Sequence, residues 1–239
     1  MKKRLLVMSA MLLMAYGTVK AQDTNNGREE KPHNKGLLLD AHWNGFEAGL
    51  NMLFDIPHNA DNGFQALETR PLRCWYFGFN IADVGVAFNR KHTAGLFTGI
   101  GLGWNNFSWN NDVKIAYGSD NETCMPVSID SDQEVKNSKY GVLFVQAPLM
   151  IEIRPTRSLY IDAGVTGGLR IAQWNRVKFA DKSQHKDYYS GGISQFKLDA
   201  SLRVGGDDMG FFASYALLPL FETTGAKVYP FSVGFSINF

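Results

Sequence analysis

One stretch of the chain indicates the fold: Val228-Tyr-Pro-Phe-Ser-Val-Gly-Phe-Ser-Ile-Asn-Phe239. Large apolar or aromatic residues occupy every second position, and small or polar residues fill most of the positions between them. A period of two is typical of a β-strand, because successive side chains point to opposite faces. An aromatic face opposite a small polar face is typical of a strand that separates lipid from a polar lumen. We expect this C-terminal assembly strand to direct five residues outward: Phe231, Val233, Phe235, Ile237 and Phe239.

The first residues have the pattern of a secretory signal peptide. Three basic residues at positions 2–4 precede a short apolar run, and small residues at positions 19 and 21 suit a cleavage site. We therefore expect a signal peptide over 1–21, a flexible periplasmic segment over 22–40 and an outer-membrane barrel domain over 41–239. Cleavage would leave 20 Lys and Arg against 23 Asp and Glu, a net charge of −3 that gives no support to a nucleic-acid partner.

The same alternation recurs along the chain and predicts eight strands. They cover residues 41–54, 75–88, 93–109, 140–154, 159–174, 195–204, 210–218 and 228–239. The connections alternate between long and short, as they do in outer-membrane barrels, where long loops face outside and tight turns face the periplasm. We predict an all-β fold, a transmembrane antiparallel up-and-down β-barrel, with both termini in the periplasm. The long connections 55–74, 110–139 and 175–194 would then lie outside the cell.

Charged residues occupy positions that should face the lumen. They are Glu47, Glu152, Arg154, Asp162, Arg170, Lys197, Asp199 and Arg203. An eight-stranded barrel is just wide enough for side chains to fill, and buried charges must be paired. We predict a structural charge network that plugs the barrel, in which Arg203 and Arg170 offset Glu152 and Asp162. The alternative, a proton or solute path, is disfavoured because such a barrel leaves no aqueous channel.

Aromatic residues near the predicted strand ends are expected at the membrane interfaces. They are Trp43, Trp75, Trp104, Trp109, Tyr140, Trp174, Tyr215 and Tyr229. A bulge near Asn44 and Gly45 would bring Trp43 onto the lipid-facing side. A stacking platform for carbohydrate is the less favoured alternative. Cys74 and Cys124 lie on the first two long connections, and an oxidising compartment permits a disulfide between them.

No residue pattern predicts catalysis, a cofactor or a metal site. The five histidines are dispersed, and none pairs with another at ligand spacing. No serine, histidine and carboxylate converge on one predicted surface, so a lipid hydrolase is a weak hypothesis. The acidic run over 130–134 lacks the glycine and the spacing of a calcium-binding loop.

Three stretches resemble the outer-membrane β-barrel proteins of Bacteroidetes, the broad family that includes PorT-like barrels. They are His42-Trp-Asn-Gly-Phe-Glu-Ala-Gly-Leu-Asn51, Gly95-Leu-Phe-Thr-Gly-Ile-Gly-Leu-Gly-Trp-Asn-Asn106 and Gln146-Ala-Pro-Leu-Met-Ile-Glu-Ile-Arg154. The resemblance implies an eight-stranded outer-membrane barrel. PorT-like members are associated with protein secretion across the outer membrane, but no residue of this chain singles out that subgroup.

We predict a non-enzymatic integral barrel of the bacterial outer membrane, a structural or interaction protein with a side-chain-filled lumen and long extracellular loops. Its expected partners are outer-membrane lipid, the barrel assembly machinery and an envelope or secretion protein. The alternative is a PorT-like accessory subunit of a secretion or envelope-assembly complex. A lipid-modifying enzyme in the barrel wall is a weaker hypothesis. A soluble periplasmic ligand-binding barrel is disfavoured, because it would place its charges outside and its large apolar residues inside.

Overall fold

The chain is described by a computed structural model over residues 38–54, 68–117, 124–130, 134–156, 158–181, 183–188, 194–206, 208–221 and 227–239. The predicted signal peptide and most of the predicted segment 22–40 lie outside these residues. The last part of that segment is ordered by pairing, because Leu38 and Leu39 pair with Val86 and Gly85.

Twelve β-strands occur in the described ranges. Eight form the wall: β2 (Gly45–Phe54), β3 (Trp75–Ala87), β4 (Ala94–Ser108), β7 (Val135–Thr156), β8 (Leu159–Phe179), β10 (Phe196–Gly205), β11 (Met209–Ala216) and β12 (Tyr229–Asn238). Four are shorter: β1 (Leu38–Leu39), β5 (Val113–Tyr117), β6 (Cys124–Ser128) and β9 (Gln184–Tyr188). A 3-10 turn at Pro71–Arg73 precedes β3.

The eight wall strands form a closed antiparallel ring. Each wall strand pairs with the wall strands before and after it in the chain, and β12 returns to pair with β2. That closing seam extends from the pair Tyr229 and Phe54 to the pair Asn238 and Gly45. The predicted eight-stranded up-and-down barrel is therefore confirmed.

The wall has an apolar outside and a polar inside. On β7, Ile151 and Ile153 are exposed on the outer surface, whereas Met150 and Glu152 are buried in the lumen. The closing strand follows the same rule, with an exposed Phe235. Large exposed apolar side chains around the whole ring, over a lumen with buried charges, are the arrangement of a transmembrane barrel.

The described part of the chain contains no helix with the length and apolar character needed to cross a membrane.

The register is interrupted where the sequence loses its alternation. On β3 the pairing with β4 shifts between Asn80 and Ala82, as at a bulge. A second shift on the β7–β8 ladder lies between Leu143 and Phe144. Bulges of this kind change which face the following residues occupy.

The two ends of the barrel differ. The connections 88–93, 157–158 and 206–208 are short, and they share one end, the short-turn end, with residues 38–44 and Phe239. The opposite, long-loop end holds additional structure that the sequence did not predict. There β5 and β6 form a hairpin, and β7 and β8 continue beyond their other neighbours, with β9 paired to β8.

Candidate functional site

Residues 40–44 fold into the lumen at the short-turn end. Gly45 has a φ of 139°, a value that L side chains rarely adopt, and it ends the inward excursion where β2 begins. The Asn44 backbone N–H donates to Asp83 Oδ2 at 3.2 Å. Trp43 is 2% exposed inside the barrel, so its predicted lipid-facing position is wrong. Residues 40–44 precede β2 and run inside the ring, so Trp43 joins an apolar cluster formed with Leu39, Ala87, Phe97 and Met150.

His42 attaches this inward segment to the wall. Its backbone N–H donates to Glu152 Oε2 at 3.0 Å, and its Nδ1 lies 3.2 Å from the same oxygen. Its ring stacks on Tyr160 with centroids 4.5 Å apart. Arg154 Nε lies 2.5 Å from Glu152 Oε1, and the same guanidinium donates to the Asp40 carbonyl. Glu152 is therefore bonded on both oxygens.

Arg203 connects four parts of the lumen. Its Nη1 donates to the His42 carbonyl at 2.7 Å, and its Nη2 donates to Asn238 Oδ1 at 3.1 Å. Its Nε lies 3.4 Å from Glu47 Oε1, and its Nη1 lies 4.0 Å from Asp162 Oδ2. This one guanidinium thus joins β2, β8, β12 and the inward segment. The predicted position of Arg203 in the charge network, beside Asp162, is where the structure places it.

The buried carboxylate of Asp162 has fewer hydrogen-bond partners than the neighbouring carboxylates of Glu47 and Glu152. It is fully buried, and neither carboxylate oxygen has a hydrogen-bond partner among the described residues. The negative charge of Asp162 is compensated by the Arg203 guanidinium. The Cζ atom of this guanidinium also lies 5.0 Å from the centroid of the Trp43 ring. The carboxylate of Asp162 therefore depends on Arg203 for most of its electrostatic stabilisation.

A second ion pair lies farther up the lumen on β10. Lys197 Nζ lies 2.8 Å from Asp199 Oδ2 and faces the Tyr76 and Phe144 rings at 5.4 and 5.5 Å. The Tyr76 hydroxyl donates to Glu47 Oε2 at 3.2 Å, which links this pair to the Arg203 group.

Arg170 does not take the predicted role. It lies eight residues along β8 from Asp162, opposite Phe144, and its Nη1 donates to Gln173 Oε1 at 2.5 Å. No ion pair joins Arg170 to a carboxylate of the described residues. The prediction that Arg170 offsets Glu152 and Asp162 is therefore wrong, because the length of the strand separates the groups.

Side chains fill the lumen between these groups. A cavity of about 20 Å³ remains among Glu47, Tyr76, Asp199 and Arg203. A cavity of this size holds roughly one water molecule. A packed lumen of paired charges is what an eight-stranded ring is wide enough to contain.

The β5–β6 hairpin covers the long-loop end. The Ile115 N–H donates to Asn175 Oδ1 at 3.3 Å, and the Asn175 amide donates back to the Ile115 carbonyl. The hairpin completes an apolar cluster of Phe107, Trp109, Val113, Ile115, Tyr140, Val142, Phe144, Leu220, Phe221 and Val228. Trp109 and Tyr140 were expected at the membrane interface, but both belong to this buried cluster. Their strands place them on the lumen side, where the hairpin seals the opening.

Other predicted interfacial aromatics do face outward. Trp75, Trp104 and Tyr215 are exposed on the barrel wall. Trp174 packs against Trp104 with ring centroids 5.7 Å apart. These rings mark the long-loop edge of the apolar outer surface, where amphipathic aromatics are expected.

Cys74 is a fully buried thiol just before β3, and the structure records it as free. Its Sγ accepts from the Ser108 backbone N–H at 3.1 Å. Burial, the largest influence, raises the pKa of the Cys74 thiol above its ordinary value. The Cys124 side chain lies outside what the structure describes, so the pairing itself stays a prediction.

Within the described ranges, no group of three or more His, Cys, Asp or Glu residues could hold a metal ion.

Sequence analysis did not identify His42, Tyr160 or Asn238 as members of the lumenal polar group. Their side chains carry no pattern of their own. The ring brings Asn238 and Tyr160 together, with the Asn238 amide donating to the Tyr160 hydroxyl at 2.9 Å, and the inward course of residues 40–44 adds His42.

No protein-family model and no curated protein matches the chain. Among solved structures, the chain is similar to Ail, the attachment invasion locus protein of Yersinia pestis. Ail in complex with the heparin analogue sucrose octasulfate aligns at 12% identity over 82% of this chain and 96% of Ail, with a TM-score of 0.38. A second Ail structure aligns at 11% identity over 82% and 99% of the two chains, with a TM-score of 0.34. The barrel assignment rests on this chain's own strand pairing.

Proposed function

We propose that the protein is a non-enzymatic integral barrel of the bacterial outer membrane that holds a structured surface outside the cell. The observation that carries this proposal is closure at both ends of the lumen. Residues 40–44 fill the short-turn end, and the β5–β6 hairpin with its apolar cluster covers the other end.

The closed lumen argues for an anchor rather than a passage. A solute would have to displace the ion pairs that join Arg203 to Glu47 and Lys197 to Asp199, which lie at successive levels of the barrel. Breaking a buried ion pair costs roughly 3–5 kcal/mol. The lumen is therefore best explained as the stabilising interior of a membrane anchor.

The long-loop end supplies the surface that an anchor would present. The β5–β6 hairpin and the extension formed by β7, β8 and β9 project beyond the lipid-facing wall and are held by backbone pairing. In this proposal the short-turn end and both termini lie in the periplasm. The partners are outer-membrane lipid around the wall, the barrel assembly machinery during insertion, and an envelope protein at one of the two ends.

The alternative is a PorT-like accessory subunit of a secretion or envelope-assembly complex, supported by the strand motifs described from the sequence. The two proposals differ in where the partner binds. An interaction surface displayed outside binds at the hairpin, whereas an accessory subunit of an export complex binds at the periplasmic end.

Site-directed photo-crosslinking in intact cells separates these proposals. One variant carries a photoreactive residue at Val127, which is exposed on the hairpin, and the matched control carries it at Arg90 in the exposed 88–93 turn. We expect crosslinks from position 127 to a partner outside the cell. Crosslinks from position 90 alone would favour the accessory subunit. Extraction of the protein by carbonate, or ion conductance by the purified barrel in planar bilayers, would refute the closed membrane anchor.

A further inference from the structure

Three cations lie directly opposite one another across three strands at the long-loop end. Lys139 of β7 pairs with Arg176 of β8, and Arg176 pairs with Lys186 of β9. Directly opposed residues of an antiparallel ladder point to the same face, and like charges at these positions are destabilising. We call Lys139, Arg176 and Lys186 the basic row.

The next residue pair on the same face extends the basic row and leaves an open space beside it. There Asn137 pairs with Lys178. A surface cavity of about 60 Å³ lies among Asn137, Lys139, Arg176 and Lys178. The Arg176 guanidinium is held in place, because its Nε and Nη2 both donate to Gln184 Oε1, at 3.1 and 2.8 Å. An amide and three cations therefore line one small open cavity, and all four can donate hydrogen bonds to an anion.

The cations of this cavity, Lys139, Arg176 and Lys178, form no ion pair with a carboxylate of the described residues. Lys139 lies beyond the apolar band of the wall. Partial burial first, and then the positive charges of Arg176, Lys178 and Arg73, lower the pKa of Lys139 below its ordinary value. A bound anion would relieve this repulsion.

The basic row faces outward at the edge of the lipid-facing wall. Arg176 lies two residues beyond Trp174 on the same face of β8, and Trp174 packs against the exposed Trp104. Lys186 Nζ lies 5.0 Å from the centroid of the Trp174 ring. Interfacial tryptophans lie at the level of lipid headgroups. Cations placed immediately beyond them therefore meet the headgroups rather than the tips of the loops.

We propose that the basic row and the adjoining cavity form a binding site for a phosphate group on the headgroup of an outer-leaflet lipid. Lys139, Arg176 and Lys178 surround the phosphate, and Asn137 supplies a neutral donor. This inference rests on the proposed membrane location, but it goes beyond it by assigning a lipid ligand to named residues.

The test compares two variants that each lose one lysine and one arginine. Lys139→Gln/Arg176→Gln removes two of the three cations of the basic row, and Arg90→Gln/Lys91→Gln removes one arginine and one lysine at the short-turn end. Each purified barrel is reconstituted into vesicles, and binding of phosphorylated lipid A, dephosphorylated lipid A and phosphatidylcholine is measured by native mass spectrometry. Each cation near an anionic surface strengthens binding about five-fold, so we expect the basic-row variant to lose roughly 30-fold in affinity for the phosphorylated lipid. The control variant should match the wild type.

Three outcomes would overturn the proposal. They are equal binding by the basic-row variant and the wild type, no preference of the wild type for the phosphorylated lipid, or equally tight binding of free inorganic phosphate by the wild type in detergent. If the double variant does not fold, the binding comparison uses Lys139→Gln alone. This single variant is expected to fold, because no hydrogen bond of the Lys139 side chain is found among the described residues. If the protein fails to enter vesicles at all, the membrane location is refuted as well, which separates that failure from loss of the phosphate preference.

Discussion

Replacing Arg203 with alanine should destabilise the barrel more than any other single loss of lumenal charge. The substitution removes the guanidinium that donates to His42 and Asn238 and that compensates Glu47 and Asp162. Both carboxylates are at least 95% buried, so water cannot replace the lost charge without opening the lumen.

Two independent considerations give the size of the effect. Removing one partner of a buried ion pair costs about 3–5 kcal/mol. Two lost hydrogen bonds from a charged donor, at about 1.5–3 kcal/mol each, give a similar range for the same group. These values describe one interaction and are not additive, so we expect a loss of about 4 kcal/mol in the free energy of unfolding. For a domain of about 200 residues this corresponds to a fall in Tm of roughly 8–16 °C.

The assay is thermal and urea unfolding of the purified barrel in detergent, followed by the shift between folded and unfolded bands in electrophoresis. Arg170→Ala is the matched control, because the half-buried Arg170 donates to Gln173 and forms no ion pair with a described carboxylate. We expect the control to lose about 1 kcal/mol. Adding Glu47→Gln to Arg203→Ala should restore about 1–2 kcal/mol, because the two groups are coupled. Equal Tm values for Arg203→Ala and Arg170→Ala would refute the reasoning.

Three further predictions test other parts of the fold. Trp43→Ala should lower the free energy of unfolding by about 3–5 kcal/mol, whereas Trp75→Ala on the outer wall should cost much less; similar losses would contradict the inward course of residues 40–44. In a Cys124→Ser variant, Cys74 should react with a maleimide only after unfolding, because burial shields the thiol and raises its pKa. Fast labelling of the folded variant would rule out this buried site. Gly234→Val should prevent closure of the ring, because a side chain there overlaps the backbone of β2; a heat-modifiable folded band at the wild-type level would count against this.

The wall strands could be predicted from the sequence because each has one face in lipid and the other in the lumen. On β7, for example, the outward-facing Leu149, Ile151 and Ile153 alternate with the lumen-facing Met150 and Glu152. The hairpin of β5 and β6 was missed because its alternation lies within a long polar connection. β9 has the sequence Gln-His-Lys-Asp-Tyr, which carries no apolar pattern, and it forms by pairing with β8.

The lumenal site was predicted only in part. Glu47, Asp162 and Arg203 could be assigned to the lumen because the strand period fixes their face. Their partners could not be assigned, since residues far apart in sequence meet only through the ring. Trp43 shows the limit most clearly: the expected bulge would have placed it on the lipid-facing side, but residues 40–44 run inside the ring and Trp43 is buried there.

The inward segment at residues 40–44 also constrains the order of events during assembly. It contacts residues of β3, β7, β8 and β10, and the Asn44 carbonyl accepts from the Phe239 N–H just after β12, so its full set of contacts does not exist until the last strand has been synthesised. β12 in turn completes the ring by pairing with β2, which follows that segment directly. The N-terminal segment and the C-terminal strand therefore reach their final contacts together, late in assembly, because each depends on the opposite end of the chain.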